Sequence, residues 1–363
     1  MIVGAGLLGL SAARALTAAG RDVVVLEQSS VGHPGAGSKG SCRIFRLGYG
    51  DPGYVTAARQ ARGLWHELEA ESGRQILCPA PHLTFGPQLP DVREAMRQAG
   101  APCELLSAAE AARRFPGIRI GGPALLETES AVIAADVALT ALAAAAGPVL
   151  VGVRVTGIAD DGREVTVHTT AGPMTARVAV LTAGPWTAGL LAGQVSIPAS
   201  TQLEQVVYVA PAGLTTSAGT GPDTPIFICH ADESPYGLPV PGSDLYKIGI
   251  HHSGPQTGPD AQDQSPDPAL LARLTGVAER YLPGYEPTPV ASERCIYDNL
   301  PDEDFALDRT GNVVVGCGTS GHGFKFGPLL GTWLAALACG GPDLPPARFS
   351  LSRFRTHSSA VPG

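Results

Sequence analysis

The residues best suited to chemistry stand near the two ends of the chain. Ile2-Val3 runs into Gly4-x-Gly6-x-x-Gly9 and an alanine-rich stretch, and a second apolar run, Asp22 to Leu26, ends on Glu27. Strand, glycine turn, helix, strand and acid make a βαβ unit for a dinucleotide. Gly4 permits the tight turn, Gly6 admits a pyrophosphate, Gly9 lets helix and strand pack closely, and Glu27 suits a ribose hydroxyl. The phosphates are expected at the helix N-terminus, around Leu7 and Leu8, where free N–H groups and the dipole favour an anion. An acid at that strand tip favours FAD or NAD over NADP. Near the C-terminus, Val313 to Gly318 is a buried strand rising into Thr319-Ser320-Gly321-His322-Gly323-Phe324-Lys325-Phe326-Gly327, ahead of a final helix. That is a second turn suited to an anion or a flavin. Two such cradles favour FAD over NAD, because FAD holds its adenosine and its ring system far apart.

Other reactive side chains lie between them. The loop from Gly32 to Gly50 carries Lys39, Arg43 and Arg46, with the two arginines bracketing Ile44-Phe45. A glycine-rich loop beside a cofactor is placed to touch it, so short ordered structure with two inward cations is expected; two solvated arginines are the plainer reading. The run Arg177 to Leu181 ends in Ala183-Gly184-Pro185-Trp186, a tight turn able to close over the phosphates. In Tyr246 to His251, one face carries Tyr246, Ile248 and Ile250, and the other Lys247, Gly249 and His251. The second face is either solvated or the wall of a polar cavity.

The elements that must hold these residues can be read in outline. Helices are expected over 54–72, 91–99, 107–114, 135–146 and 268–283, with Trp65 and Leu68 in the core. The stretch 148–155 reads as a strand, 153–180 as a hairpin, and 201–252 as a half-buried antiparallel sheet interrupted by Pro/Gly-rich loops at 211–225 and 253–268. The fold class is α/β with α+β mixing: a Rossmann-like FAD-binding domain with a discontinuous second domain built on an antiparallel sheet. The expected limits are 1–78, 131–200 and 300–363 for the first domain, and 79–130 and 201–299 for the substrate domain.

Composition bounds the function. The 363 residues are 44% hydrophobic and only 16% charged, with a formal net charge of −8. The acidic balance argues against nucleic acid and anionic membrane surfaces. No apolar run reaches membrane-spanning length, and the N-terminus reads as a strand rather than a signal peptide. Seven cysteines without pairwise spacing suit reduced thiols in a cytoplasmic protein. No Cys-x-x-Cys or His/Cys cluster marks a metal.

The opening βαβ, the Gly-x-x-Gly-x-x-Arg-x-x-Arg stretch at 37–46, Lys247-Ile-Gly-x-His251, Cys295 and Ser320-Gly-His-Gly-Phe-Lys-Phe326 follow one another in that order. Together they resemble the monomeric sarcosine oxidase and N-methyltryptophan oxidase family, flavoprotein amine oxidases of the D-amino-acid-oxidase type. The likeness spans essentially the whole chain. It implies FAD bound covalently through its 8α-methyl group to Cys295. It also implies Arg46 and Lys325 as the pair for the substrate carboxylate, Lys247 for oxygen activation, His251 near the flavin ring and, by a looser match, Tyr236 in the substrate pocket. It further implies a monomer.

The departures fall in one loop. Where the family carries His-Gly-Asp-Thr-Arg, this chain reads Lys39-Gly40-Ser41-Cys42-Arg43. Arg43 keeps its place beside flavin and pocket, while Lys39 and Ser41 replace a histidine and an acid, which opens the identity of the substrate. The resemblance thus implies an oxidase of a secondary amino acid, N-alkyl or cyclic. A hydride passes to the flavin, an imine forms, and O2 is reduced to H2O2. The rival readings are an FAD dehydrogenase serving an electron carrier, a flavin-binding redox sensor, and an NAD-linked dehydrogenase.

Overall fold

A computed structural model describes residues 1–213, 224–231, 233–260 and 263–354. Most of the expected loop at 211–225, two positions of that at 253–268, and the end of the expected FAD-binding domain lie outside the described residues. The chain forms two compact units. The first comprises Met1–Ser38, Leu139–Thr201 and Tyr297–Gly363, the second Lys39–Ala138 and Gln202–Ile296.

The first unit is built on a six-stranded sheet in the order Ala306–Thr310, Val313–Cys317, Ala179–Leu181, Ile2–Val3, Val25–Glu27, Val149–Val151. Ile2–Val3 pairs in parallel with both neighbours, and only Ala306–Thr310 runs antiparallel. Ile2, Val25, Ala179 and Val314 are fully buried, as expected of a sheet covered on both faces. The helices Leu7–Ala18 and Gly327–Cys339 pack closely, since a Cβ at Gly331 would lie 2.4 Å from the Ser11 backbone. On the final helix Leu330, Trp333 and Leu334 are buried, and Leu337 only partly. The expected hairpin at 153–180 is instead a three-stranded meander of Val155–Asp160, Val165–Thr169 and Gly172–Ala176. Turn residues at two places, Asp161-Gly162 and Thr170-Ala171, reverse the chain twice.

The second unit holds most of an eight-stranded sheet: Ala291–Asn299, Ser200–Val209, Tyr246–Ile250, Pro235–Pro239, Ile226–Cys229, His82–Phe85, Ala124–Glu127, Glu104–Leu106, with the ends Tyr297–Asn299 and Ser200–Thr201 of the first two strands belonging to the first unit. From Ser200–Val209 to Glu104–Leu106 neighbouring strands pair antiparallel, except that Ile226–Cys229 runs parallel to His82–Phe85. Register sorts its side chains onto two faces, because cross-strand partners share a face. Val207, Ile248, Gly237, Phe227, Leu83 and Leu126 lie in one row. That face forms an apolar core with Leu274, Val277, Ala278 and Tyr281 of the helix Pro268–Tyr281. The opposite face carries Tyr208 across from Lys247, Gly249 across from Tyr236, and His82 across from Glu127.

A solvated face for Lys247 is therefore overturned. All of Tyr246–Ile250 is buried, and the polar face is covered by a three-stranded sheet of Cys42–Phe45, Ala131–Ala134 and Leu77–Pro79. Cys42 and Val132 pack there against Ile226, Leu238 and Tyr236. These pairings also explain why the second unit takes in 39–78 and 131–138, which fall within the expected first domain. The Arg43 strand is hydrogen-bonded to Ala131–Ala134 and travels with it. Trp65 and Leu68 are buried on the helix Pro52–Ser72.

Candidate functional site

The Gly4 turn fits a dinucleotide. Gly4 adopts φ +98°, open to glycine at little cost, and a Cβ on it would meet the Thr182 carbonyl at 2.6 Å. A Cβ at Gly9 would reach the Gly4 carbonyl at 1.9 Å, so strand and helix touch through their backbones. Gly6, the N-cap of Leu7–Ala18, brings no side-chain acceptor to the first turn. The Leu7 N–H donates to Ser38 Oγ at 3.0 Å, and Leu8 and Gly9 complete that turn. Glu27 is buried and accepts from the Ala5 N–H at 2.9 Å and the Ser29 N–H at 2.9 Å. The strand-tip acid thus holds the glycine loop. Ala183 precedes the turn Gly184–Trp186, and Thr182, one residue earlier, donates through Oγ1 to the Val3 carbonyl at 3.0 Å. Both turns therefore open at the same end of the sheet, where α/β folds bind ligands.

The second cradle, in the same unit, is braced by an acid. Buried Asp298 accepts from the Gly318 N–H at 2.8 Å and the Thr319 N–H at 3.1 Å, and the Thr319 hydroxyl also donates to it. A Cβ at Gly321 would lie 2.1 Å from the Tyr297 ring. His322 points its ring at the Glu303 carbonyl, 2.9 Å away, and stacks on Phe305. Gly323 caps the 3-10 turn Phe324–Phe326. Buried Lys325 donates to the His322 carbonyl at 2.8 Å.

In the second unit, Lys247 and the 39–46 loop come together. Lys247 is only 5% exposed; its Nζ donates to the Cys42 carbonyl at 3.3 Å and lies 5.8 Å from the Tyr208 ring centre. Burial lowers the Lys247 ammonium pKa, with Arg43 adding to that and Cys42, Cys295 and Glu293 opposing it. Arg43 folds back on its own loop, donating to the Cys42 carbonyl at 2.9 Å and to the Lys39 carbonyl. Lys39 Nζ donates to Gln264 Oε1 at 3.1 Å, and burial lowers its pKa too. Cys295 is a free, partly buried thiol. Burial raises its pKa, against the pull of Arg43, Lys247 and Lys39. Tyr236 lies on Gly249, where an added Cβ would sit 2.4 Å from the phenol oxygen. His251 lies in the turn just past the end of that strand, at Ile250, its ring 4.0 Å from that of His252.

Arg46 occupies a buried polar cluster of the same unit. It is 9% exposed, its guanidinium lies 4.1 Å from the Tyr49 ring centre, and Nη1 is buried without a hydrogen-bond partner. No carboxylate pairs with it among the described residues. Tyr49 in turn stacks on Tyr54 at 5.1 Å, and burial pushes its phenol up to about 12. The cluster's acid is Glu127, fully buried, with every contact turned elsewhere. It accepts from His82 Nδ1 at 2.8 Å, from the Leu47 N–H at 2.8 Å and from the Gly48 N–H at 3.0 Å. Burial pushes the Glu127 carboxyl up, but His82, Arg46 and the Leu47 N–H outweigh it and hold the group ionised. Burial, with Arg46 and His82, pulls His230 down to about 4. The sequence reading missed Glu127, His82, His230, Tyr49 and Ser38. Only Ser38 and Tyr49, inside the flagged glycine-rich loop, left a signal that could have found them.

Among the described residues no helix is long and apolar enough to cross a membrane. A family model described as FAD dependent oxidoreductase matches residues 1–337. Mouse peroxisomal sarcosine oxidase is 35% identical, over 99% of this chain and 97% of its own length. Monomeric sarcosine oxidase of Bacillus sp. (strain NS-129) is 30% identical, over 99% of this chain and 98% of its own. Among solved structures, NikD, an unusual amino acid oxidase essential for nikkomycin biosynthesis, aligns with a TM-score of 0.84 at 25% identity, covering 96% of each chain.

Proposed function

The chain belongs to the FAD-dependent oxidoreductase family and is an FAD-dependent amine oxidase. From that premise we propose that it oxidises a secondary amino acid, N-alkyl or cyclic, to the imine, with O2 as acceptor and H2O2 as product. The observation that carries this reading is Arg46, a buried guanidinium with a free Nη1 and no carboxylate partner. A buried charged donor left without a hydrogen-bond partner is costly. A substrate carboxylate offers the fork-to-fork partner that a guanidinium suits.

FAD, when bound, supplies the two-electron chemistry at the carbon–nitrogen bond and its reoxidation by O2. Its phosphates are assigned to Gly4, Gly6, Leu7, Leu8 and Gly9, with Glu27 for the ribose and Ala183, Gly184 and Trp186 closing the turn. Gly321, His322, Gly323, Lys39 and Arg43 are assigned to the ring end, and Cys295 to a covalent 8α-S-cysteinyl link. Arg46 and Lys325 bind the substrate carboxylate, and Tyr236 shapes the pocket. Lys247 holds a fixed positive charge for O2 reduction, with His251 beside it. The enzyme is proposed to act as a cytoplasmic monomer.

The test is anaerobic bleaching of the flavin by a panel of N-methyl and cyclic amino acids, alongside the matching amines without a carboxylate. Bleaching by the amino acids alone is expected. Equal bleaching by the amines would refute the amino-acid reading, and turnover with a dye but no peroxide in air would refute the oxidase.

A further inference from the structure

We infer that Glu127, held by His82, is the positioning residue that presents Arg46 to the substrate carboxylate. This rests on the reading of Arg46 given above. The strand Cys42–Phe45 ends immediately before Arg46, and the next two backbone N–H groups, of Leu47 and Gly48, both bond to Glu127 Oε2. The chain is thereby pinned directly after the arginine. Glu127 Oε1 is taken by His82 Nδ1, and the two residues face each other across adjacent strands of the eight-stranded sheet. A rigid sheet thus sets the path of the loop.

The same contacts keep Glu127 from consuming the charge it positions. A carboxylate beside a buried arginine ordinarily forms a forked pair, but here both oxygens are already engaged by three donors. Glu127 stabilises the guanidinium by charge alone and leaves Nη1 to a ligand. Gly48 is required for this approach, because a Cβ there would sit 2.4 Å from Glu127 Oε1. The Tyr49 ring, its centre 4.1 Å from the guanidinium, supports it.

Two variants test the inference in the flavin-loaded enzyme. Glu127→Gln removes the charge but keeps the shape. Gly48→Ala keeps the carboxylate and pushes it off the loop. Binding of a carboxylate inhibitor is followed through the flavin spectrum, with flavin content and thermal unfolding measured in parallel. Each variant is expected to weaken the inhibitor by roughly tenfold or more, the scale of one lost charge-assisted contact. KM should rise while the reduction rate at saturating substrate changes far less. A carboxylate-free amine should bind each variant as it binds wild type. Wild-type inhibitor affinity in either folded variant, or equal losses for the amine, would overturn the role of Glu127; if Glu127→Gln fails to fold, Gly48→Ala decides. Failure of the Arg46 reading looks different, because Arg46→Met would then bind the inhibitor normally.

Discussion

Gly249 lies against Tyr236 across adjacent antiparallel strands, and an added Cβ would fall 2.4 Å from both the phenol carbon and its oxygen. The same strand face carries Lys247 one pleat away. The bare glycine therefore sets where the tyrosine rests and how close it stands to the lysine. Gly249→Ala should destabilise the protein by about 1–3 kcal/mol through crowding and raise KM by displacing Tyr236. Adding Tyr236→Ala should restore most of the lost stability, since the clash is then gone. Thermal unfolding of both single variants and the double variant measures the coupling. A double variant as unstable as Gly249→Ala would refute the crowding account.

If Cys295 is the flavin anchor, the cofactor should remain with acid-precipitated protein and run with the polypeptide on a denaturing gel. Cys295→Ala should release it into the supernatant. Release from the unmutated, fully loaded protein would remove the covalent assignment.

Acid sensitivity follows from His230. Its folded pKa is about 4, below the ordinary value near 6.5. Between those values the unfolded chain binds more protons than the folded one, so stability falls as pH drops from about 6.5 toward 4. Glu127, with a lowered pKa, contributes stability that is lost only as pH falls below the ordinary carboxylate range. His230→Gln should therefore shrink the difference in urea midpoint between about pH 7 and pH 5. An unchanged difference would show that other groups carry the effect.

The local parts of this architecture were readable in the sequence because their signals are local. The glycine turn at Gly4–Gly9, the acid at Glu27 and the glycines ahead of the last helix each sit within a few residues of their strand. The Arg46 cluster was not readable, because His82 and Glu127 stand 45 positions apart. In sequence they are only polar residues at the ends of apolar strands; register makes them neighbours. The burial of Lys247 was hidden for a related reason. Period-two alternation reports two unlike faces but not what covers them. Here the second face is covered by a small sheet drawn from two distant stretches, Cys42–Phe45 and Leu77–Pro79, joined through Ala131–Ala134. The same pairing moves residues 39–78 into the second unit.

Lys247 is expected to govern the reaction of the reduced flavin with O2. Reduction of O2 begins with electron transfer that creates an anion, and a fixed cation beside that point stabilises it most where the dielectric is low. Lys247 is buried, its ammonium held by the Cys42 carbonyl, and its pKa is lowered mainly by burial. Neutral substitution removes the charge without opening the strand, so Lys247→Met should slow flavin reoxidation by several powers of ten. Anaerobic reduction by substrate should fall far less, because the substrate carboxylate is assigned to Arg46 and Lys325. Stopped-flow measurement of the two half-reactions separates these effects. Equal losses in both, or a loss in reduction alone, would assign Lys247 to the substrate or the fold.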